Sequence, residues 1–270
     1  MQLGVGSYAF TWAVGVPNHP PAQPMTVHDL LARAVELGVT LVQFCDNTPL
    51  DRLPEAEQRS LAQRARALGV KVEVGTRGID DAHLRRYLAL AQQFGSPILR
   101  VVVDTAQHHP DADEIVARLR AILPEFASAG VVLAIENHDR FRATTLATIL
   151  ERIGGSHIGI CLDTVNSFGA LEGPDVVLDA LGAWVVNLHV KEFVVRRASH
   201  NMGFTVDGAP AGQGMLDVPW LLGRLRELGR SPNAILEQWT PPESELAATI
   251  AKEDAWATAS IAYLRQLIPG

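Results

Sequence analysis

Eight short, β-favouring apolar runs alternate with eight helical stretches along this chain, and most helical stretches stop at a glycine just before the next run. The runs cover Gln2–Tyr8, Val39–Cys45, Val70–Gly75, Ile98–Val103, Val131–Glu136, Ile158–Leu162, Val185–Val190 and Ala234–Glu237. Helices are expected from Thr26 to Leu37, Pro54 to Leu68, Asp80 or Asp81 to Phe94, and Asp111 to Ala129. Four more follow over Thr144–Ile153, Pro174–Leu181, Val218–Leu228 and Glu243–Leu267. Thr26, and either Asp80 or Asp81, are good N-caps, while Gly38, Gly69, Gly95, Gly130 and Gly229 are natural stops. Such alternation implies parallel strands, because each crossover helix returns the chain to the same edge. Eight units in 270 residues fit a single-domain (β/α)8 TIM barrel, which needs about 250. The competing open, doubly wound sheet usually carries a GxGxxG turn after an early strand, and none follows Gln2–Tyr8.

A formal charge of −7 argues against a nucleic-acid partner, which needs a concentrated basic surface. The longest apolar runs fall short of the roughly 20 residues that span a bilayer. No basic and then apolar leader opens the chain. Cys45 and Cys161 both lie inside strand runs and read as free buried thiols. The expectation is a cytoplasmic protein with no membrane partner, and a homo-oligomer is compatible with it.

Two connections exceed the usual two to six residues. Residues 9–25 carry four prolines and are expected to be a loop rather than a helix. Residues 192–217 follow the seventh strand and contain Gly203, Gly208, Gly212 and Gly214. Both lie at the face where barrel chemistry occurs. The second reads as a lid, packed through Phe193, Met202, Phe204 and Met215. A disordered insertion is the alternative.

The chemistry sits at the ends of the last four strands. In VVLAIENHD, Val132, Ala134 and Glu136 share one face, so a run of small residues ends in an acid. Asp163, His189 and Glu237 end later runs in the same way, with Glu136, Asp163 and His189 about one βα unit apart. Three oxygen donors and one imidazole suit one harder divalent ion such as Mn²⁺ or Mg²⁺, with Co²⁺ or Zn²⁺ also admissible. The bland reading, unrelated charges at strand ends, would leave each acid unpaired in a nearly closed interior.

With IEN at Ile135–Asn137, CLDT at Cys161–Thr164, LHVKE at Leu188–Glu192 and ILEQW at Ile235–Trp239, the chain resembles the xylose isomerase-like TIM-barrel superfamily of sugar isomerases and epimerases. The resemblance covers essentially the whole chain. It implies that Glu136, Asp163, His189 and Glu237 bind one metal, commonly manganese, and that Glu136 and Glu237 form an acid–base pair across a carbohydrate substrate. The expected activity is isomerisation or epimerisation by proton transfer beside a carbonyl, through a metal-stabilised enediolate. The runner-up is a lyase or dehydratase acting on a keto-sugar or oxidised glycoside with the same site.

The departures bear on substrate. Arg142 stands where the ketose epimerases place a second glutamate, and Asn166 where they often place a histidine. Arg142 suits a more anionic or oxidised substrate, or is a solvated surface residue. Lys191 shares the face of His189 and reaches the substrate carbonyl or pairs with an acid. His138 shares the parity of Glu136 and is a substrate or structural residue. Arg196 and His200 are lid candidates for substrate contact. Glu73 and Arg100 are expected to point inward and form a buried structural ion pair.

Overall fold

The computed structural model describes residues 1–269. Its centre is a closed barrel of eight parallel strands: β1 (Leu3–Gly6), β2 (Leu41–Phe44), β3 (Lys71–Arg77), β4 (Ile98–Val102), β5 (Val132–Glu136), β6 (Ile158–Asp163), β7 (Val185–Val190) and β10 (Asn233–Leu236). The order around the barrel is β1-β10-β7-β6-β5-β4-β3-β2, and β2 pairs with β1 to close it. Helices α2 (Val27–Glu36), α3 (Glu55–Ala67), α4 (Asp81–Phe94), α5 (Ala112–Ala129), α6 (Ala143–Ile153), α7 (Pro174–Leu181), α8 (Val218–Glu227) and α9 (Leu246–Leu267) follow the strands in turn. The fold is the (β/α)8 barrel that the alternation predicts.

Local chemistry sets the boundaries. Thr26 and Asp29 form a reciprocal capping box on α2, and Asp80 accepts the backbone N–H groups of Ala82 and His83 to start α4. Gly95 and Gly130 close α4 and α5 in the left-handed conformation, at φ 72° and 67°. Val42, Phe44, Val72, Val74, Leu133 and Ile135 belong to the continuous core between barrel and helices. Their strand neighbours on the opposite face, Gln43, Glu73, Ala134 and Glu136, fill the barrel interior. An ordinary barrel fills that space with branched apolar layers. Here much of it is polar.

Two connections differ from expectation. Residues 9–25 begin with a 3₁₀ turn at Ser7–Phe10 and a short helix α1 (Thr11–Val14). The prolines at 17, 20, 21 and 24 all lie beyond that helix, so they do not interrupt it. Residues 192–217 hold an antiparallel hairpin of β8 (Glu192–Arg197) and β9 (Phe204–Ala209). Its base is tightly fixed. The buried Glu192 carboxylate accepts the N–H groups of Phe193, Gly212 and Leu216. A Cβ on Gly214 would lie 2.3 Å from Glu192 Oε1 and from the Phe193 carbonyl oxygen, so no larger residue fits there. Among the described residues no helix is long and apolar enough to cross a membrane.

Candidate metal and active site

Strand register brings the four strand-end residues together. Asp163 pairs with His189 across β6 and β7, Glu136 ends β5, and Glu237 lies one residue beyond β10. All four are buried. His189 Nδ1 is the centre: Glu136 Oε2 is 3.3 Å away, Glu237 Oε1 3.3 Å and Asp163 Oδ2 3.8 Å. Ligand atoms of Asp163, His189 and Glu237 lie within 4.8 Å of one another, and so do those of Glu136, Cys161 and His189. Glu136 is therefore offset toward Cys161, because Arg100 and Asn166 hold it there. Arg100 Nε donates to Glu136 Oε2, and Asn166 Nδ2 donates to Oε1 at 2.7 Å.

Whether these residues suit a metal can be judged from their open valences. Asp163 Oδ2, His189 Nδ1 and both carboxylate oxygens of Glu237 are buried and make no hydrogen bond. Lys191 Nζ lies 2.7 Å from Asp163 Oδ2 and 2.9 Å from Glu237 Oε2, at ion-pair distance but without hydrogen-bond geometry. Buried polar atoms are normally satisfied. Three residues with orphaned lone pairs converging on one space form a donor set that fits a divalent cation.

The charges are strongly coupled. Burial opposes the charge on Glu136, but Arg100 and His189 outweigh it and hold its pKa well below the ordinary carboxylate range. Burial likewise opposes Asp163, and Lys191 keeps its pKa low. Burial would neutralise Lys191, yet Asp163, Glu237 and Glu136 hold its pKa well above normal. Burial disfavours a charged His189 too. Its acidic neighbours, Cys161, Glu237 and Glu136, nevertheless raise its pKa well above normal. The cluster thus draws positive charge to Nδ1, where a metal would replace a proton.

Beneath lies a second polar layer. Glu73 accepts Asn233 Nδ2 at 2.8 Å, Asn187 Nδ2 at 2.8 Å and Gln43 Nε2 at 3.1 Å. Gln43 Oε1 is 2.7 Å from His189 Nε2. The expected Glu73–Arg100 ion pair is therefore not formed. Arg100 runs toward the barrel mouth, to Glu136 and to Asp46 Oδ1 at 2.9 Å. Gly75 makes this possible, because a Cβ there would sit 3.2 Å from Arg100 Cδ and 2.9 Å from Cys45 Sγ.

The remaining sequence candidates divide. Lys191 and Asn166 belong to the cluster, their side chains 3.4 Å apart. His138 is half-buried, bonded to Asp139 at 2.6 Å, and lines a 640 Å³ cavity with Arg77, Asp104, His109 and Arg140. Arg142 is exposed at the N-cap of α6. Arg196 is exposed on β8 beside Asp207, Lys252 and Trp256, and His200 is exposed between β8 and β9. The structure does not bring Arg142, Arg196 or His200 to the cluster. Sequence reasoning missed Gln43, Asp46 and Asn187. Gln43 and Asn187 carried a usable signal: each is a lone amide inside an apolar strand, and Asn187 shares the parity of His189.

Residues 31–267 match the family model described as xylose isomerase-like TIM barrel. A 3-oxo-isoapionate decarboxylase from Pectobacterium atrosepticum is 36% identical over 266 residues, covering 98% of this chain and 95% of that protein. A D-psicose 3-epimerase, solved in the presence of D-fructose, superposes with a TM-score of 0.73 at 15% identity, covering 100% of both chains. A xylose isomerase-like TIM barrel protein from Mycobacterium smegmatis, in complex with magnesium, gives 0.69 at 13% identity, covering 97% of both chains. At these identities the two structures speak to the fold alone.

Proposed function

Because this chain belongs to the xylose isomerase-like TIM-barrel family, we propose that it is a divalent-metal-dependent lyase that decarboxylates a 3-oxo sugar acid. The named activity of its 36% identical relative supports that class. The observation that carries the choice over isomerase or epimerase is the hold of Arg100 and Asn166 on Glu136. Epimerisation needs two carboxylates able to trade protons on opposite substrate faces. Glu136, doubly hydrogen-bonded and well below the ordinary carboxylate range, is poorly suited to that exchange.

A 3-oxo acid needs no base to begin. The bond between C1 and C2 breaks, its electron pair moves into the C3 carbonyl as an enolate, and carbon dioxide leaves. One proton then adds at C2. Lys191, still cationic and 12% exposed, places positive charge where the enolate develops. Glu237, whose two oxygens accept no hydrogen bond, is the carboxylate available to move that proton. Glu136 acts through its position and charge, with Asn166 beside it as a substrate contact.

Asp163, His189 and Glu237, with Glu136 beside them, would hold Mn²⁺ (or Mg²⁺, Co²⁺ or Zn²⁺), which when bound polarises the substrate carbonyl. The unsatisfied donor atoms of Asp163, His189 and Glu237 support a divalent ion. The 36% identical relative supports a carbohydrate-derived substrate. Free buried thiols at Cys45 and Cys161 support a reducing, cytoplasmic setting.

The test is product analysis of Mn²⁺-loaded protein with a carboxyl-labelled 3-oxo sugar acid in heavy water. Labelled carbon dioxide should appear with one deuterium at C2 per turnover, and Glu237→Gln with metal still bound should abolish it. Hydrogen exchange without carbon dioxide, or turnover of free ketoses, would instead establish the isomerase or epimerase reading.

A further inference from the structure

We infer that Gln43 is a positioning residue for the metal centre, fixing the tautomer of His189 so that Nδ1 is always the nitrogen offered to the cation. This rests on the metal reading above. The argument is one of donors and acceptors. Gln43 Nε2 donates to Glu73 Oε2 at 3.1 Å and to Asn187 Oδ1 at 3.1 Å. Both partners are themselves oriented. Glu73 also receives Asn187 Nδ2 and Asn233 Nδ2, and Asn187 Oδ1 receives the Cys161 thiol at 3.3 Å. A carboxylate accepts and does not donate, so the Gln43 amide has one consistent orientation, with its oxygen toward the mouth. The Cys45 thiol, donating to that same oxygen at 3.3 Å, agrees with it.

Gln43 Oε1 can only accept, so His189 Nε2, 2.7 Å away, must carry hydrogen. In the neutral imidazole the lone pair then lies on Nδ1, the orphaned nitrogen facing Asp163 Oδ2 and Glu237 Oε1. Metal-bound histidines characteristically use their second nitrogen in this way, and losing such a partner typically weakens metal binding by 10–100-fold. The parts come from separate strands: Gln43 and Glu73 are register partners on β2 and β3, and Asn187 and Asn233 on β7 and β10. All but Asn233 are buried. Closure of the barrel joins them.

The experiment measures Mn²⁺ affinity by equilibrium dialysis for wild type, Gln43→Met, and the exchange variant Gln43→Glu with Glu73→Gln. Methionine keeps the volume and removes the acceptor, so binding should weaken 10–100-fold. The exchange variant again offers His189 an oxygen, held by an amide at position 73, and should recover to within about threefold of wild type on the same outer-ligand logic. A role in packing alone predicts no such recovery. A second readout needs no variant to fold: with ring-labelled histidine in the Mg²⁺-loaded wild type, NMR should show hydrogen on Nε2 of His189 and none on Nδ1. Equal affinity in Gln43→Met, absence of rescue, or hydrogen on Nδ1 would overturn the inference. Wild type that binds no divalent ion would overturn the metal reading itself, and this inference with it.

Discussion

Glu73 and Glu237 are carboxylates at 1% and 0% exposure inside the same barrel, yet they are treated in opposite ways. Glu73 receives three amide N–H groups. Glu237 receives no hydrogen bond on either oxygen, with the Lys191 ammonium at 2.9 Å and His189 Nδ1 at 3.3 Å as its neighbours. An unsatisfied buried polar group costs free energy, a charged one more. The layer around Glu73 is complete on its own. The layer around Glu237 is held by charge instead, and its carboxylate keeps lone pairs that no hydrogen bond uses. Within one polar interior, the state of satisfaction separates frame from working surface.

The hardest way to break that contrast is at its centre. His189→Ala should weaken Mn²⁺ binding more than about 100-fold, beyond the loss expected for an outer partner. It should also abolish the metal-dependent stabilisation, which in wild type amounts to about 2.7 kcal/mol at a hundredfold excess over Kd and is read as a rise in melting temperature. Equal metal content after dialysis would refute the site. Arg100→Met comes next, because it leaves Glu136 and Asp46 without their buried cation. Urea unfolding should show a loss of about 3–5 kcal/mol. A loss under 1 kcal/mol would show that these carboxylates are compensated elsewhere.

Glu253 on α9 sharpens the contrast through pH. It accepts the backbone N–H groups of Trp12 and Ala13, while burial pushes its pKa up to about 7. A folded pKa above the unfolded value near 4.3 means that folding favours the protonated form. That contribution is full below about pH 4.3 and is lost as pH rises through about 7. Wild type should therefore lose up to about 3 kcal/mol relative to Glu253→Gln between pH 5 and pH 8, with unfolding measured at both. A constant gap would show that the carboxyl does not titrate there. The smallest effect belongs to the rim. Arg142→Ala, with an exposed side chain, should change stability by less than about 0.5 kcal/mol. Under the proposed reaction, its turnover should stay within about twofold of wild type, and a large loss of kcat/KM would place Arg142 on the substrate.

Much of the frame was legible because local signals agree. The Thr26 and Asp80 caps, the glycine stops and the two-residue alternation fix where elements begin and which way their residues face. Strand order then brings Glu136, Asp163, His189 and Glu237 together. What the sequence does not specify is which inward side chain meets which. Glu73 and Arg100 both face inward, but Arg100 is long enough to reach past Gly75 to the next layer, and amides from three other strands occupy Glu73. The hairpin was obscured differently. Its alternation in FVVRR is short, and its pairing with Phe204–Ala209 spans a glycine-containing tip, so no local propensity announces it.

The anchoring of that hairpin has a practical consequence. Glu192 ties its root to three backbone amides, and Gly214 leaves no slack there, whereas Met202 and Phe204 at the far end are 78% and 65% exposed. Residues 198–203 therefore form an interchangeable cassette on a rigid mount. New sequences can be grafted there without asking the barrel to refold around them.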